Sequence, residues 1–444
     1  MRDYVVVAII ASVLPVILFR PFVGLLAYYW LAYMRPQNMA FGFSRDLPLS
    51  LWVAVAMVTG LVLAMGREQF VTLRLQTILL SLLGIWISLT VLTAVVPEMS
   101  QVVYGQYWKA ILVSVLATGM VLDRRRLRWV ILVIVVSVGF LGAKRGLFGL
   151  LRSGTRYDDG PGGFMSDNNS FALALNMVLP LLVGVALVEK RRWARLAAAV
   201  TATLCTLCIL FTFSRGGLLT LAAVGGLLIW RARRRLLVAG LLALGFAGFI
   251  FISSDQVKND YIRRATSISN YEEDSSAKGR LNAWETSWRV FLDYPVFGVG
   301  PNNLEAVFFR YAPDNSRFHV SHNAYFQLLS ECGLPALLLF LGALGTALWR
   351  LERLRTTTPI PWIEVQARML QISIIGYMVG ATFLNMAYCE LIYTILSLSV
   401  SLDVVAQREA EEEGLAVPEA NGVWWKRAPA GRLQPAAPSW AGRA

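Results

Sequence analysis

The sequence predicts an all-α polytopic membrane protein, and three observations carry that class. Of its 444 residues 56% are apolar or aromatic and only 16% are charged, against roughly 25% charged in a soluble domain. The apolar residues form continuous blocks of crossing length, about 20 residues per helix. A transmembrane barrel would instead alternate apolar and polar residues along strands of roughly ten. Short loops dense in Lys and Arg separate many of these blocks.

The net charge of +13, from 41 Lys and Arg against 28 Asp and Glu, would suggest nucleic acid in a soluble chain. Here its distribution supplies another cause. Loops at 67–74, 123–128, 189–195, 231–235 and 350–355 total 32 residues, with 17 Lys or Arg and four acids. Short basic loops stay on the cytoplasmic side, so the excess charge reads as an orientation signal and no nucleic-acid partner is needed.

Reading outward from those loops, spans fall at 49–66, 75–95, 108–122, 128–143, 169–188, 196–213, 216–230, 236–252, 322–349, 366–386 and 391–405. The run from Tyr4 to Phe19 meets Arg20-Pro21 without a small-residue cleavage site, so it reads as a retained helix. Proline and a charge interrupt the segment 4–34. Taken as one broken crossing it gives twelve helices; taken as two it gives thirteen. Twelve is the expectation. A transmembrane domain over 1–405 would include a long outer loop at 253–321, and the Glu- and Pro-rich stretch 406–444 reads as a disordered cytoplasmic tail. No internal repeat is visible.

Outside the basic loops lie 144–168, a tight turn near 214–216, the 69-residue loop 253–321 and a short turn near 387–390. Within the long loop Leu281, Trp284, Trp288 and Phe291 recur at helical spacing, as do Leu304, Val307, Phe308 and Tyr311. Two amphipathic helices near the outer membrane face are expected. Tyr294-Pro-Val-Phe-Gly-Val-Gly-Pro-Asn-Asn303 between them demands turns and is expected to fold the loop back over the membrane surface.

Three constellations on this side could carry chemistry. In Phe213-Ser-Arg-Gly-Gly217, Arg215 could meet an anion, while Ser214, Gly216 and Gly217 would bring backbone amides close to it. An interfacial arginine followed by helix-packing glycines is the alternative. In Lys278-Gly-Arg280, Arg280 offers a planar fork of donors suited to phosphate oxygens, and Trp284 one turn on could stack on a sugar. An ordinary charged first turn is the plain alternative. In Ser321-His-Asn323, the imidazole of His322 suits proton transfer near pH 7, with Asn323 beside it. His322 could equally be a structural residue. Gln327 and Glu331 follow on one helix face, and a carboxyl inside a span is a functional candidate. His319, the only other histidine, lies in the loop proper.

Cys205 and Cys208 have metal-site spacing but sit mid-span without a second pair, so they read as buried structural thiols. The outer acids Asp158-Asp159, Asp167 and Glu272-Glu273-Asp274 form no convincing metal cluster by spacing.

The order of these motifs resembles the O-antigen ligase and O-antigen polymerase superfamily, particularly its exosortase-associated ligase branch. Ser214-Arg-Gly-Gly217, Arg280 with Trp284, Phe297-Gly-Val-Gly-Pro301, His322-Asn323 and Glu331-x-Gly333 carry the resemblance. Gly160-Pro-Gly-Gly-Phe-Met-Ser-Asp-Asn-Asn169, with Asn168 and Asn169, looks like that family's Asn-containing loop. The resemblance implies a C-type membrane glycosyltransferase in the bacterial inner membrane, with its site facing the periplasm. The donor would be an undecaprenyl-pyrophosphate-linked glycan and the acceptor a sugar hydroxyl of lipid A-core. Arg215 and Arg280 would bind the pyrophosphate and His322 would deprotonate the acceptor, with inversion and without metal or cofactor. Ser214, Gly216, Gly217, Lys278, Trp284, Asn323, Asn168 and Asn169 would line the substrates. Polymerase, protein O-oligosaccharyltransferase and a flippase for a polyprenyl-linked glycan remain the alternatives.

Overall fold

Each of the eleven spans marked from residue 49 onward falls on a helix in the computed structural model, which describes residues 1–152, 157–231, 235–252, 255, 259, 275–314 and 317–414. The described residues are 79% helical. Seven described helices are long and apolar enough to cross a membrane by length and composition. The fold is therefore the all-α polytopic class that the composition requires.

The helices are α1 (Arg2–Phe19), α2 (Pro21–Tyr33), the single-turn α3 (Pro36–Ala40), α4 (Leu49–Leu63), α5 (Leu75–Leu92), α6 (Pro97–Met120), α7 (Arg124–Leu151) and α8 (Asn168–Val188). They continue as α9 (Arg192–Phe211), α10 (Arg215–Arg231), α11 (Arg235–Ile252), α12 (Ser275–Asp293), α13 (Leu304–Tyr311), α14 (Ala324–Thr357), α15 (Pro361–Ala381) and α16 (Glu390–Glu412). A two-stranded antiparallel hairpin, β1 (Asp159–Gly162) and β2 (Met165–Asp167), precedes α8. The sequence reading marked no strand there.

The segment 4–34 corrects an expectation. It is two helices rather than one broken rod, because Pro21 cannot continue the hydrogen-bond ladder of α1 and instead begins α2 at its first position. Asp3 accepts from the amide and hydroxyl of Ser44 at 3.0 and 2.7 Å. At the other end Gly24 abuts Ile17 and Met57, while Gly60 packs on the backbone of Ile17 and Leu18. Helix α1 thus runs parallel to α4, and α2 runs antiparallel to both.

The described residues of the five basic loops gather at one end of the bundle. Arg126 pairs with Glu68 at 2.8 Å and Arg128 with Glu189 at 2.6 Å, Arg124 lies over the Trp362 ring, and Arg231 faces Glu352. Below them Arg350 reaches the fully buried Asp403 at 2.9 Å, tying α14 to α16. Helix α16 continues through Glu412, with Glu409 accepting from the Trp362 indole, so it extends past the expected start of the tail at 406. Residues 415–444 lie outside the described residues.

Packing follows membrane logic, in which small residues let helices approach and apolar faces turn to lipid. Helix α8 is buried along most of its length between α7, α9, α10 and α15. Large apolar side chains such as Tyr4, Ile9, Leu82, Ile85, Trp129 and Phe140 face outward. All four cysteines are buried and free.

Candidate functional site

The end opposite the basic loops collects the motifs of Arg215, Arg280 and His322. Helix α14 is interrupted at Gly333, whose φ of 77° and ψ of 179° are open to glycine but costly for other residues. The interruption bares backbone acceptors, and the Tyr294–Asn303 turn fills it. Val299 N–H donates to Ser330 O at 3.0 Å, Gly300 N–H to Glu331 O at 2.8 Å, and Leu334 N–H to Pro295 O at 2.9 Å. The Trp86 indole donates to Cys332 O at 2.9 Å and its ring stacks on Phe297. The expectation that this turn folds over the membrane surface is corrected, since it is plugged into a broken span. That plug fixes α12, which precedes it, against the first turns of α14.

Helix α12 buries Ala283, Thr286, Ser287 and Val290 and leaves Leu281, Trp288 and Leu292 exposed. Its inward face carries Trp284, whose indole donates to Ser321 O at 2.7 Å and whose ring stacks on Phe326. Trp284 therefore positions the His322 segment. The imidazole of His319 lies against Gly279, where no Cβ would fit. Lys278 is exposed and Arg280 half-buried. The acids at 272–274 lie outside the described residues.

His322 has φ 44°, a left-handed conformation rare outside glycine. It is half-buried, and burial first, then the positive field of Arg280, hold its pKa below the ordinary 6.5, with Asp167 pulling the other way and His319 adding to the depression. Arg280, Asp167 and His319 are thus the charged or titratable neighbours of this imidazole. An imidazole so placed is neutral at pH 7 and can accept a proton. Asn323 caps α14, its side-chain oxygen accepting from the amides of Tyr325 and Phe326 at 2.9 and 3.2 Å.

Asp167 caps α8 in a capping box with Ser170. The next residue, Asn168, donates to Thr212 O at 2.9 Å and accepts from the Asn169 amide at 3.1 Å. This links the His322 neighbourhood to the turn bearing Arg215. In that turn Phe213 also has a positive φ, 53°, and Ser214 caps α10 by accepting from Gly217 N–H at 3.0 Å. Gly216 faces Phe383, and a Cβ on Gly217 would meet Ala172 at 2.7 Å. The glycines serve helix packing, and of the residues in the motif the half-buried Arg215 at the first position of α10 is the one with ligand chemistry.

The turn 382–389 closes the arrangement. Phe383 packs on Gly216, and Asn385 hydrogen-bonds the Ser321 hydroxyl. The turn is braced by Gln327 accepting from Ala387 N–H, by Tyr377 donating to Met386 O, and by Tyr388 donating to Glu331 at 2.7 Å. Gln327 and Glu331 thereby have structural partners. Asn385 and Asp167 were not marked as site residues; Asn385 fell inside the expected span 366–386, whereas the helix ends at Ala381. Among the described residues no group of three His, Cys, Asp or Glu side chains is disposed to hold a metal.

Residues 200–341 match the family model described as O-antigen ligase, and this supports membership in the O-antigen ligase superfamily. The matched stretch contains Arg215, Arg280, His322 and the Gly333 break. Residues 1–193 match a family of unknown function, DUF5935. No curated protein matches the chain.

Proposed function

We propose that this member of the O-antigen ligase superfamily is a ligase that transfers a glycan from undecaprenyl pyrophosphate to a sugar hydroxyl of lipid A-core. The observation that carries the reading is the half-buried His322, held below its ordinary pKa, beside Arg280 and linked through Asp167-Asn168 and Thr212 to the turn of Arg215. Arg215 and Arg280 bind the donor pyrophosphate and match its charge as it departs. The acceptor oxygen attacks the anomeric carbon, the bond from that carbon to the pyrophosphate oxygen breaks, and His322 takes the hydroxyl proton. One displacement inverts the anomeric centre, and no step calls for a metal.

The topology that fits this chemistry has thirteen crossings, with the antiparallel α1 and α2 counted separately and the basic loops in the cytoplasm of a bacterial inner membrane. The site then faces the periplasm. Lys278, Trp284, Asn323, Asn168, Asn169, Ser214, Gly216 and Gly217 shape it, most of them by holding backbone and helix ends in place.

The test is a reconstituted transfer assay with purified full-length protein, polyprenyl-pyrophosphate glycan and lipid A-core in the presence of chelator. Wild type is expected to form product and His322→Ala to lose at least about 100-fold, the scale of a general base. Product from His322→Ala at the wild-type rate overturns the assignment of the base. Product formed only with a second lipid-linked glycan as acceptor identifies a polymerase, and movement of donor across the membrane with its pyrophosphate linkage intact identifies a flippase.

A further inference from the structure

A second polar cavity lies beside the site and is not used by the chemistry above. It has a volume of about 160 Å³ and is lined by Gln106, Tyr107, Phe164, Asn385, Tyr388 and Glu390. At about 30 Å³ per water this is room for some five waters. That suits one sugar ring.

Its walls come from three parts of the chain. Helix α6 supplies Gln106 and Tyr107, the tip of the β-hairpin supplies Phe164, and the turn before α16 supplies Asn385, Tyr388 and Glu390. The turn cannot drift, because Gln327, Tyr377 and Glu331 brace it. Two aromatic rings, Tyr107 and Tyr388, meet edge to face at 5.3 Å.

Glu390 begins α16 and is half-buried. Arg35 and Lys109 are the cations whose fields reach its carboxylate. Among the described residues neither stands within ion-pair distance of it, and no side-chain hydrogen bond holds it. Arg35 has a left-handed φ of 52°, and its guanidinium lies against Gly163 so closely that a Cβ there would fall 1.1 Å from Nη1. Its buried Nε has no hydrogen-bond partner. A carboxylate kept near two cations but bonded to neither, at the wall of a polar cavity with aromatic and amide neighbours, is suited to accepting from ligand hydroxyls.

The cavity also joins the reaction centre. Asn385 lines it and hydrogen-bonds Ser321, the residue before His322. The hairpin that carries Phe164 at its tip ends in Asp167, a neighbour of the same imidazole. Three residues of extended chain cover at most about 10 Å.

We propose that this cavity is the acceptor subsite, that it takes one hydroxyl-bearing sugar ring, and that Glu390, Asn385 and Gln106 read its hydroxyls. The assignment to the acceptor rests on the transfer reaction proposed above. Recognition of a sugar ring does not depend on that reaction.

The test has two arms on full-length protein in lipid nanodiscs. Saturation-transfer NMR with a panel of methyl glycosides reads sugar binding directly. Steady-state transfer with titrated acceptor, and equilibrium binding of polyprenyl-pyrophosphate glycan, separate acceptor from donor. Glu390→Gln and Gln106→Ala are expected to abolish saturation transfer to the glycoside that wild type binds, to raise the acceptor KM about tenfold or more, and to leave the donor Kd within twofold. Glu390→Asp is expected to recover part of the loss, which a general packing defect would not show. Monodisperse elution and an unchanged melting midpoint qualify each variant, and Gln106→Ala stands alone should Glu390→Gln fail to fold. Saturation transfer that survives in a folded variant, or is absent from wild type for every glycoside, overturns the subsite. A weakened donor Kd with unchanged acceptor KM overturns its assignment to the acceptor. Should wild type form no product, the transfer reading fails while the NMR arm still decides whether the cavity binds a sugar.

Discussion

Replacing Gly333 by alanine tests how the broken span builds the site. The native φ of 77° with ψ of 179° is essentially confined to glycine, and forcing another residue into it costs about 1–3 kcal/mol. A Cβ would stand 2.0 Å from the carbonyl oxygen of Val296 and 2.9 Å from that of Pro295. These are backbone atoms, so the turn itself must withdraw. Withdrawal puts at risk the bonds from Leu334, Val299 and Gly300 that seal the break, each contributing about 0.5–1.5 kcal/mol. Together the loss is about 2.5–7.5 kcal/mol, which for a chain of this length is a melting midpoint lower by roughly 3–8 °C. Gly345 provides the control, since it lies in the same helix with open space where its Cβ would go. Gly345→Ala should be neutral or slightly stabilising. The assay is thermal unfolding in detergent followed by fluorescence, paired with the transfer rate, because the plug also sets α12 and Arg280 relative to His322. A Gly333→Ala protein that melts with wild type and Gly345→Ala would refute the account of the break.

Three further expectations follow from the same geometry. Because burial and then Arg280 hold the His322 pKa below 6.5, the basic form persists as pH falls through 6.5, and the acid limb of activity should have its midpoint below that value. Protons are taken up by the unfolded chain first, so this group makes stability rise with pH between its folded pKa and 6.5. With His319→Ala leaving one histidine, NMR titration should read the depressed value directly, and Arg280→Gln should raise it; a value at or above 6.5 in the parent would contradict the burial argument. Trp284→Phe keeps the stack on Phe326 but loses the bond to Ser321 O, worth about 0.5–1.5 kcal/mol, so transfer should slow several-fold with the melting midpoint nearly unchanged. Asp403→Ala strands Arg350 inside the bundle, a loss of about 3–5 kcal/mol, whereas Asp403→Leu with Arg350→Met should recover most of it; equal melting of the single and double variants would show that the pair carries no such weight.

Much of the fold was legible because lipid imposes length and continuity on each crossing. The eleven helices from residue 49 onward follow from apolar runs and basic loops alone. The segment 4–34 was harder, since Arg20-Pro21 signals an interruption without saying whether the chain bends or reverses. Only the contacts of Gly24 and Gly60 with Ile17, and of Asp3 with Ser44, decide for reversal. The hairpin at 159–167 was hidden because glycine and proline advertise a turn but not strand pairing.

At the site, residue chemistry told which side chains could act, and tertiary packing told which were already engaged. Arg215, Arg280 and His322 stand out by charge and proton affinity at one membrane edge, and those are properties of single residues. Ser214, Asn323 and Trp284 looked equally suited to a ligand, yet their polar atoms are committed to a helix cap, another helix cap and a backbone carbonyl. Glu331 and Gln327 share a helix face in any reading, but only the fold brings Tyr388 and Ala387 to meet them. Gln106, Phe164 and Glu390 are separated by up to 284 positions in the chain, and no spacing rule could bring them to one cavity. Residue identity sets what a side chain can do; the burial and partners that decide what it does arise only when distant segments are packed together.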